Sequence, residues 1–454
     1  MTALLAVAAL TTTGVSEPAA YAWAATEVGS GSQPPPGFTI DNPPLPPLAT
    51  TGGFTTVLQG IHDHAGYAIE VPPHWNGQLV LWAHPFNGTG SVLSFDPPEF
   101  GLRQLFVDQG YAWAASSFTD NGFDVGSGVR STHELAVFAA QLLHRQPSRR
   151  YLVGISMGGQ VVARSLEQYP RYYSGAMPMC GSLGDDRLFD YIADTNLVAQ
   201  DLAGIRAYPI PADYQSEILP AIENALGIAD LSPGQQPTNA LGRQFEASTV
   251  RQSGGNRPGA QAAFSYWVSN GLFQLTAPDD GGSLADNYLR VAQNLFTRYS
   301  PNTPLDLNRT VQRIAPADLI ARLDPGLSAL PHVVGDPQVP VLTLHGLGDL
   351  AVPLSMEQDY ARRVAAHGET NLLVQRVIRE ASHCEYSPVE TATAWDDLVR
   401  WVRSAAHAAR PAGDSLLDPR VLASPGYGCR FTDQSAYADP TDFPTRSLYP
   451  RCPA

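Results

Sequence analysis

At 454 residues, with 44% hydrophobic and 16% charged residues, the chain has the composition of a globular protein with a large interior, and its length allows two or three domains. A formal charge of −15 opposes binding to nucleic acid or to an anionic membrane surface, and no run reaches the roughly 18 apolar residues of a membrane span. All 28 basic residues are arginine, which excludes a Schiff-base lysine, a P-loop lysine and a Ser-Lys dyad.

In chain order, Leu4-Leu5-Ala6-Val7-Ala8-Ala9-Leu10 followed by Ala22-Trp23-Ala24 reads as an apolar signal core with an A-x-A cleavage site, so residues 1–24 are expected to be a signal peptide and the protein secreted. Four cysteines suit such an oxidising compartment and two disulfides, for which the sequence allows three pairings; no C-x-x-C spacing points to zinc. Residues 25–53, rich in Pro and Gly, read as an extended leader that packs on nothing. From residue 54 short apolar runs take over. Tyr67-Ala68-Ile69-Glu70-Val71, Gln78-Leu79-Val80-Leu81-Trp82-Ala83 and Tyr111-Ala112-Trp113-Ala114-Ala115 are expected strands, with a tight turn at Asn76-Gly77. Helices are expected over 98–109 and from Ser131, where Ser131 and Glu134 have capping-box spacing. Arg150-Tyr151-Leu152-Val153-Gly154 is the next strand, residues 159–169 a helix, and Gly175-Ala176-Met177-Pro178-Met179-Cys180 a strand again.

This rhythm predicts an α/β fold, a doubly wound and mostly parallel sheet, whose first part spans 54–181. Residues 182–338 break the rhythm. They read as an inserted, mainly helical lid with helices over 187–202, 212–226, 261–272 and 283–299. The sheet resumes in 339–410 with strands at 340–346 and 372–378 and helices at 355–367 and 391–409, and residues 411–454 form a polar tail. No internal repeat is visible.

A serine hydroxyl needs a base, an acid to orient that base, and donors for the oxyanion. Gly154-Ile155-Ser156-Met157-Gly158 lies between a strand and a helix, the context in which G-x-S-x-G presents a nucleophile, and both glycines leave room for a strained turn. Asp349, in His345-Gly346-Leu347-Gly348-Asp349, stands just past a buried strand and is the candidate acid, with Asp185 and Asp186 in reserve. His383, in Ala381-Ser382-His383-Cys384, is the candidate base. Oxyanion donors are expected from the backbone N–H of Met157 and, because Pro85 has none, of Phe86; His84 reads as structural. Tyr266, Trp267 and Phe273 form an aromatic run that is expected to wall a substrate pocket.

The order Ser156, Asp349, His383, together with the strand order and Gly154 to Gly159, resembles the α/β-hydrolase superfamily over roughly residues 54–180 and 339–409. Among its secreted, lid-bearing members, the cysteine after His383 is similar to that of tannase and feruloyl-esterase relatives, although Ile155 rather than a cysteine precedes Ser156. The resemblance implies a disulfide linking the histidine loop to the nucleophile region, hence Cys180–Cys384, which leaves Cys429–Cys452 to close the tail. It also implies a serine esterase acting on an uncharged small-molecule or polymeric ester through an acyl-enzyme, with no metal and no organic cofactor. A secreted exopeptidase of the same fold is the alternative, although it needs a charged group to hold a peptide terminus and no acidic cluster stands out in the insertion beyond Asp279-Asp280; a non-catalytic binding protein is a third reading. No oligomeric state follows from the sequence.

Overall fold

The computed structural model describes residues 31–273, 287–323 and 329–452. The signal-like run and Asp279-Asp280 lie outside them. Eight strands build one sheet: β1 (Thr56–His62), β2 (Ala65–Val71), β3 (Gln78–Ala83), β4 (Ala112–Ser116), β5 (Arg149–Ile155), β6 (Gly175–Met179), β7 (Val341–Gly346) and β8 (Leu373–Ile378). Their order across the sheet is β8-β7-β6-β5-β3-β4-β2-β1. The β1–β2 and β2–β4 pairs are antiparallel and the remaining pairs parallel. Asn76-Gly77 does turn, with Gly77 at φ 78°, but it joins strands that are not neighbours, because β4 lies between β2 and β3.

β3, β5, β6 and β7 are covered on both faces, which is why they read as continuous apolar runs. Leu79, Leu81 and Leu152 face helices α2 (Val125–Leu142), α3 (Met157–Gln168) and α8 (Leu354–Ala366). The alternate residues Val80, Trp82, Tyr151 and Val153 face α1 (Leu102–Asp108) and α9 (Pro388–Arg403), through Phe106, Trp395 and Leu398. Between β6 and β7 the insertion carries α4 (Arg187–Ala203), α5 (Leu219–Leu226), α6 (Ala240–Gln252) and α7 (Ala260–Asn270). No helix of the described residues is long and apolar enough to cross a membrane.

Several expected boundaries move, for local reasons. α2 begins at Val125, not Ser131: Asp124 accepts a 2.7 Å bond from the Ser127 N–H and supplies the cap. The capping box instead appears at Ser387 and Glu390, so α9 starts before residue 391 and ends at Arg403. α6 was not expected from the sequence. The helix expected over 283–299 is, in its described part, only a short turn at Tyr288–Val291. The stretch 212–226 opens with a π-helical turn, Tyr214–Ile218, before α5.

The leader packs after all. Thr39–Asp41 pairs in parallel with Val92–Ser94, and Leu48 N–H donates to the buried Glu70, which also accepts from Thr55, Arg103 and Trp113. The tail is equally built in. It is closed by Cys429–Cys452, and its Arg446 is fully buried with a two-pronged pair to Glu390 at 2.7 and 2.8 Å. Arg446→Met would strand the Glu390 charge, and breaking one side of a buried pair costs about 3–5 kcal/mol. The variant should therefore melt several degrees below the parent in scanning calorimetry; an unchanged midpoint would show that the tail contributes little.

Candidate active site

The parallel pairs align Ala83 with Gly154, Ile155 with Met179 and Gly346 with Ile378, so the loops that follow β3, β5, β6, β7 and β8 emerge along one edge of the sheet. Ser156 sits there between β5 and α3 with φ 55° and ψ −123°, a conformation that side chains other than glycine rarely adopt. Its N–H donates to Met179 C=O at 3.0 Å and its C=O accepts from Gly159 N–H at 2.9 Å, which fixes the strained turn from both sides. The turn is closed enough that a Cβ on Gly158 would strike the Ala83 carbonyl and approach that of His84 to 2.6 Å.

The Ser156 Oγ lies 2.8 Å from His383 Nε2, and His383 Nδ1 lies 2.6 Å from Asp349 Oδ2. Three residues separated by 227 and 34 positions in the chain thus form one hydrogen-bonded line. Asp349 is fully buried, and its other oxygen accepts the N–H groups of Ala351 at 2.9 Å and Val352 at 3.0 Å, so the carboxylate is held in one orientation. The imidazole edge remains partly open to solvent, with 26% of the side chain exposed, where a reacting group can approach. Cys384, next to His383, is joined to Cys180 at the end of β6, and the two Cα atoms are 5.6 Å apart.

Met157 is the first residue of α3, where N–H groups lack intrahelical acceptors. Phe86 follows β3, with its ring 6.3 Å from that of Phe123. His84 stacks on Phe118 at 3.8 Å with Nδ1 2.7 Å from Pro85 C=O, and burial pushes its pKa down, in keeping with a neutral structural role. Asp185 and Asp186 do not reach His383. Asp185 is gripped by Arg363 and by Val333 N–H at 2.9 Å; burial opposes its charge, but His332 and Arg363 more than offset this and hold its pKa down. Asp186 pairs with Arg322 at 3.2 Å and is pushed up to about 7, chiefly by burial and then by the Asp185 charge.

The aromatic run divides. Trp267 arrives at the site, donating its indole N–H to Gly348 C=O at 3.0 Å and Ala381 C=O at 2.5 Å. Tyr266 meets Trp267 edge-on, whereas Phe273 is buried and stacks with Phe245 of α6 at 5.9 Å. Residues with no recognisable motif also surround the site. Arg257 donates to Leu347 C=O at 2.6 Å, Tyr449 of the tail donates to Glu380 C=O at 3.0 Å, and the Glu380 carboxyl is fully buried beside Gly346 with neither oxygen hydrogen-bonded. Burial first, and then the Asp349 charge, push the Glu380 pKa well up.

The chain is 33% identical over 407 residues to o-phthalyl amidase of Xanthobacter agilis, an alignment covering 76% of this chain and 87% of that protein. The chain belongs to the o-phthalyl amidase family. This member of the family is a hydrolase with the α/β-hydrolase fold. No family model matches it. Among solved structures, an esterase from Aspergillus oryzae is similar at 14% identity and a TM-score of 0.46, covering 80% of this chain and 81% of that one. Feruloyl esterase B from the same organism is similar at 17% identity and a TM-score of 0.43, covering 80% and 82%. The rice cell wall degrading esterase LipA from Xanthomonas oryzae is similar at 15% identity and a TM-score of 0.38, covering 77% and 90%.

Proposed function

We propose that the protein is a secreted serine hydrolase that cleaves carboxylic esters through an acyl-enzyme on Ser156. The observation that carries this reading is the unbroken line from Ser156 Oγ through His383 to Asp349, with separations of 2.8 and 2.6 Å. His383 Nε2 takes the serine proton as Oγ attacks the acyl carbon, while Asp349 orients the ring and stabilises its cation. The N–H groups of Met157 and Phe86 face the oxyanion. His383 then protonates the leaving alcohol, and water repeats the sequence on the acyl-enzyme with the ring again as base. Secretion is supported by the signal-like residues 1–24 and the two disulfides, and residues 182–338 serve as the cap over the acyl site.

An aromatic acyl group suits the surroundings. Phe86 follows β3, Phe123 follows β4 and Phe189 lies on α4 after β6; their rings are linked at 6.3 and 5.0 Å along the edge that carries Ser156. A second reading, hydrolysis of amides of aromatic acids, is favoured by the 33% identity to o-phthalyl amidase, since the same acyl-enzyme serves either leaving group.

Four substrates separate these readings: 4-nitrophenyl benzoate, 4-nitrophenyl acetate, benzoyl 4-nitroanilide and leucine 4-nitroanilide. The benzoate should give the highest kcat/KM, about tenfold or more above the acetate, as expected for burying a ring in an apolar pocket. A benzoyl anilide turned over faster than the benzoate ester would replace the ester reading by the amide one. A leucine anilide in first place would point to an exopeptidase.

A further inference from the structure

The insertion does more at α7 than cover the sheet edge. Trp267 reaches two loops at once: Gly348 immediately precedes Asp349, and Ala381 lies two residues before His383. One N–H is thus shared between the turn that carries the acid and the loop that carries the base. Ten residues earlier, Arg257 enters the same place from the other side. Its guanidinium is fully buried and donates to Leu347 C=O at 2.6 Å, to Gly255 C=O at 2.8 Å and to Ser253 Oγ at 3.1 Å. Among the described residues no carboxylate lies within ion-pair distance of it, so this buried cation is held by backbone carbonyls and a hydroxyl.

The fit around these donors is tight. A Cβ on Gly348 would collide with the Tyr449 hydroxyl and lie 2.8 Å from the Ala263 Cβ of α7 and 3.0 Å from Ala381 Cα. The two loops are also bonded directly, Leu347 N–H to Ile378 C=O and Gly348 N–H to Glu380 C=O, each at 2.8 Å. Those bonds fix the loops along the sheet edge. Trp267 fixes them from the side of the insertion.

We propose that Trp267 is a positioning residue: its indole N–H, delivered by α7, sets the spacing between the Asp349 turn and the His383 loop, with Arg257 anchoring the base of that turn. This rests on the reading of Ser156, His383 and Asp349 as the reacting set. It assigns Trp267 to catalytic geometry, not to the wall of the acyl pocket. The 253–267 stretch is accordingly a fixed part of the site, so the cap cannot lift there without loosening the triad.

Trp267→Phe keeps an aromatic ring and removes the donor. Assayed in the full chain on 4-nitrophenyl benzoate, it should lower kcat about tenfold or more while KM stays within about twofold, because misplacing a base by a fraction of an ångström acts on the chemical step. The rate of covalent labelling of Ser156 by a fluorophosphonate should fall in proportion. A folded variant whose kcat stays within about threefold of the parent overturns the proposal, whatever happens to KM. If Trp267→Phe does not fold, encoded benzothienylalanine at position 267, isosteric with indole but without the N–H, is read by the same criterion. Ser156→Ala is measured beside them. Its retention of activity would overturn the triad reading and this inference with it, whereas an inactive Ser156→Ala beside a fully active Trp267 variant overturns the positioning role alone.

Discussion

Ser156→Ala should cut kcat by about a millionfold on the best acyl substrate, with KM changed little. Removing Oγ eliminates the hydroxyl that lies 2.8 Å from the His383 ring, and the strained turn at φ 55° has no second hydroxyl to present in its place. Residual turnover above water would come from the oxyanion donors and binding alone. Burst and steady-state kinetics on 4-nitrophenyl benzoate provide the check, since the variant should lose the burst as well as the steady rate. A variant retaining a tenth of the parent rate would move the nucleophile elsewhere.

Asp349→Asn comes next, with an expected loss of about ten thousandfold in kcat and a nearly unchanged fold. The direction follows from what each oxygen of Asp349 accepts. Oδ1 receives two backbone N–H groups, from Ala351 and Val352, and Oδ2 receives His383 Nδ1. An asparagine has one acceptor oxygen. The two backbone donors claim it, which turns the amide NH2 toward His383 Nδ1 and forces that nitrogen to accept. The ring proton then sits on Nε2, the atom that must take the proton from Ser156, and the base is switched off without being moved. Alanine at the same position should cost less than this wrong-tautomer effect predicts, because a free ring can rotate and re-protonate. Equal losses for Asp349→Asn and Asp349→Ala would argue against tautomer control.

The residues that define the chemical line were legible because each carries a local signal. Ser156 lies in a strand–turn–helix context whose glycines are required by backbone approach, Asp349 follows a buried strand, and His383 precedes α9 in the order the fold demands. The sheet was legible for a similar reason: strands covered on both faces are continuous apolar runs, and β3, β5, β6 and β7 are such strands. What escaped depends on distant partners. Gly126 and Gly128 weaken the helical signal at the start of α2, yet Gly128 packs so closely on Val161 and Phe118 that a Cβ would lie 2.6 and 3.0 Å from them; packing overrides propensity there. Nothing local marks Arg257, whose acceptor Leu347 is 90 residues away, or Glu380, whose raised pKa comes from burial and then from the Asp349 charge. Trp267 was visible as an aromatic side chain but not as a donor, because both of its acceptors are backbone carbonyls supplied by other loops.

The assignment of Ser156 Oγ as the attacking atom is tested by covalent capture. The native protein treated with a fluorophosphonate and digested should yield a single phosphonylated peptide, modified at Ser156. That adduct should disappear when the protein is denatured before treatment or when His383 is replaced by alanine. An adduct on any other residue, or native protein that stays unmodified while still hydrolysing 4-nitrophenyl benzoate, would contradict it.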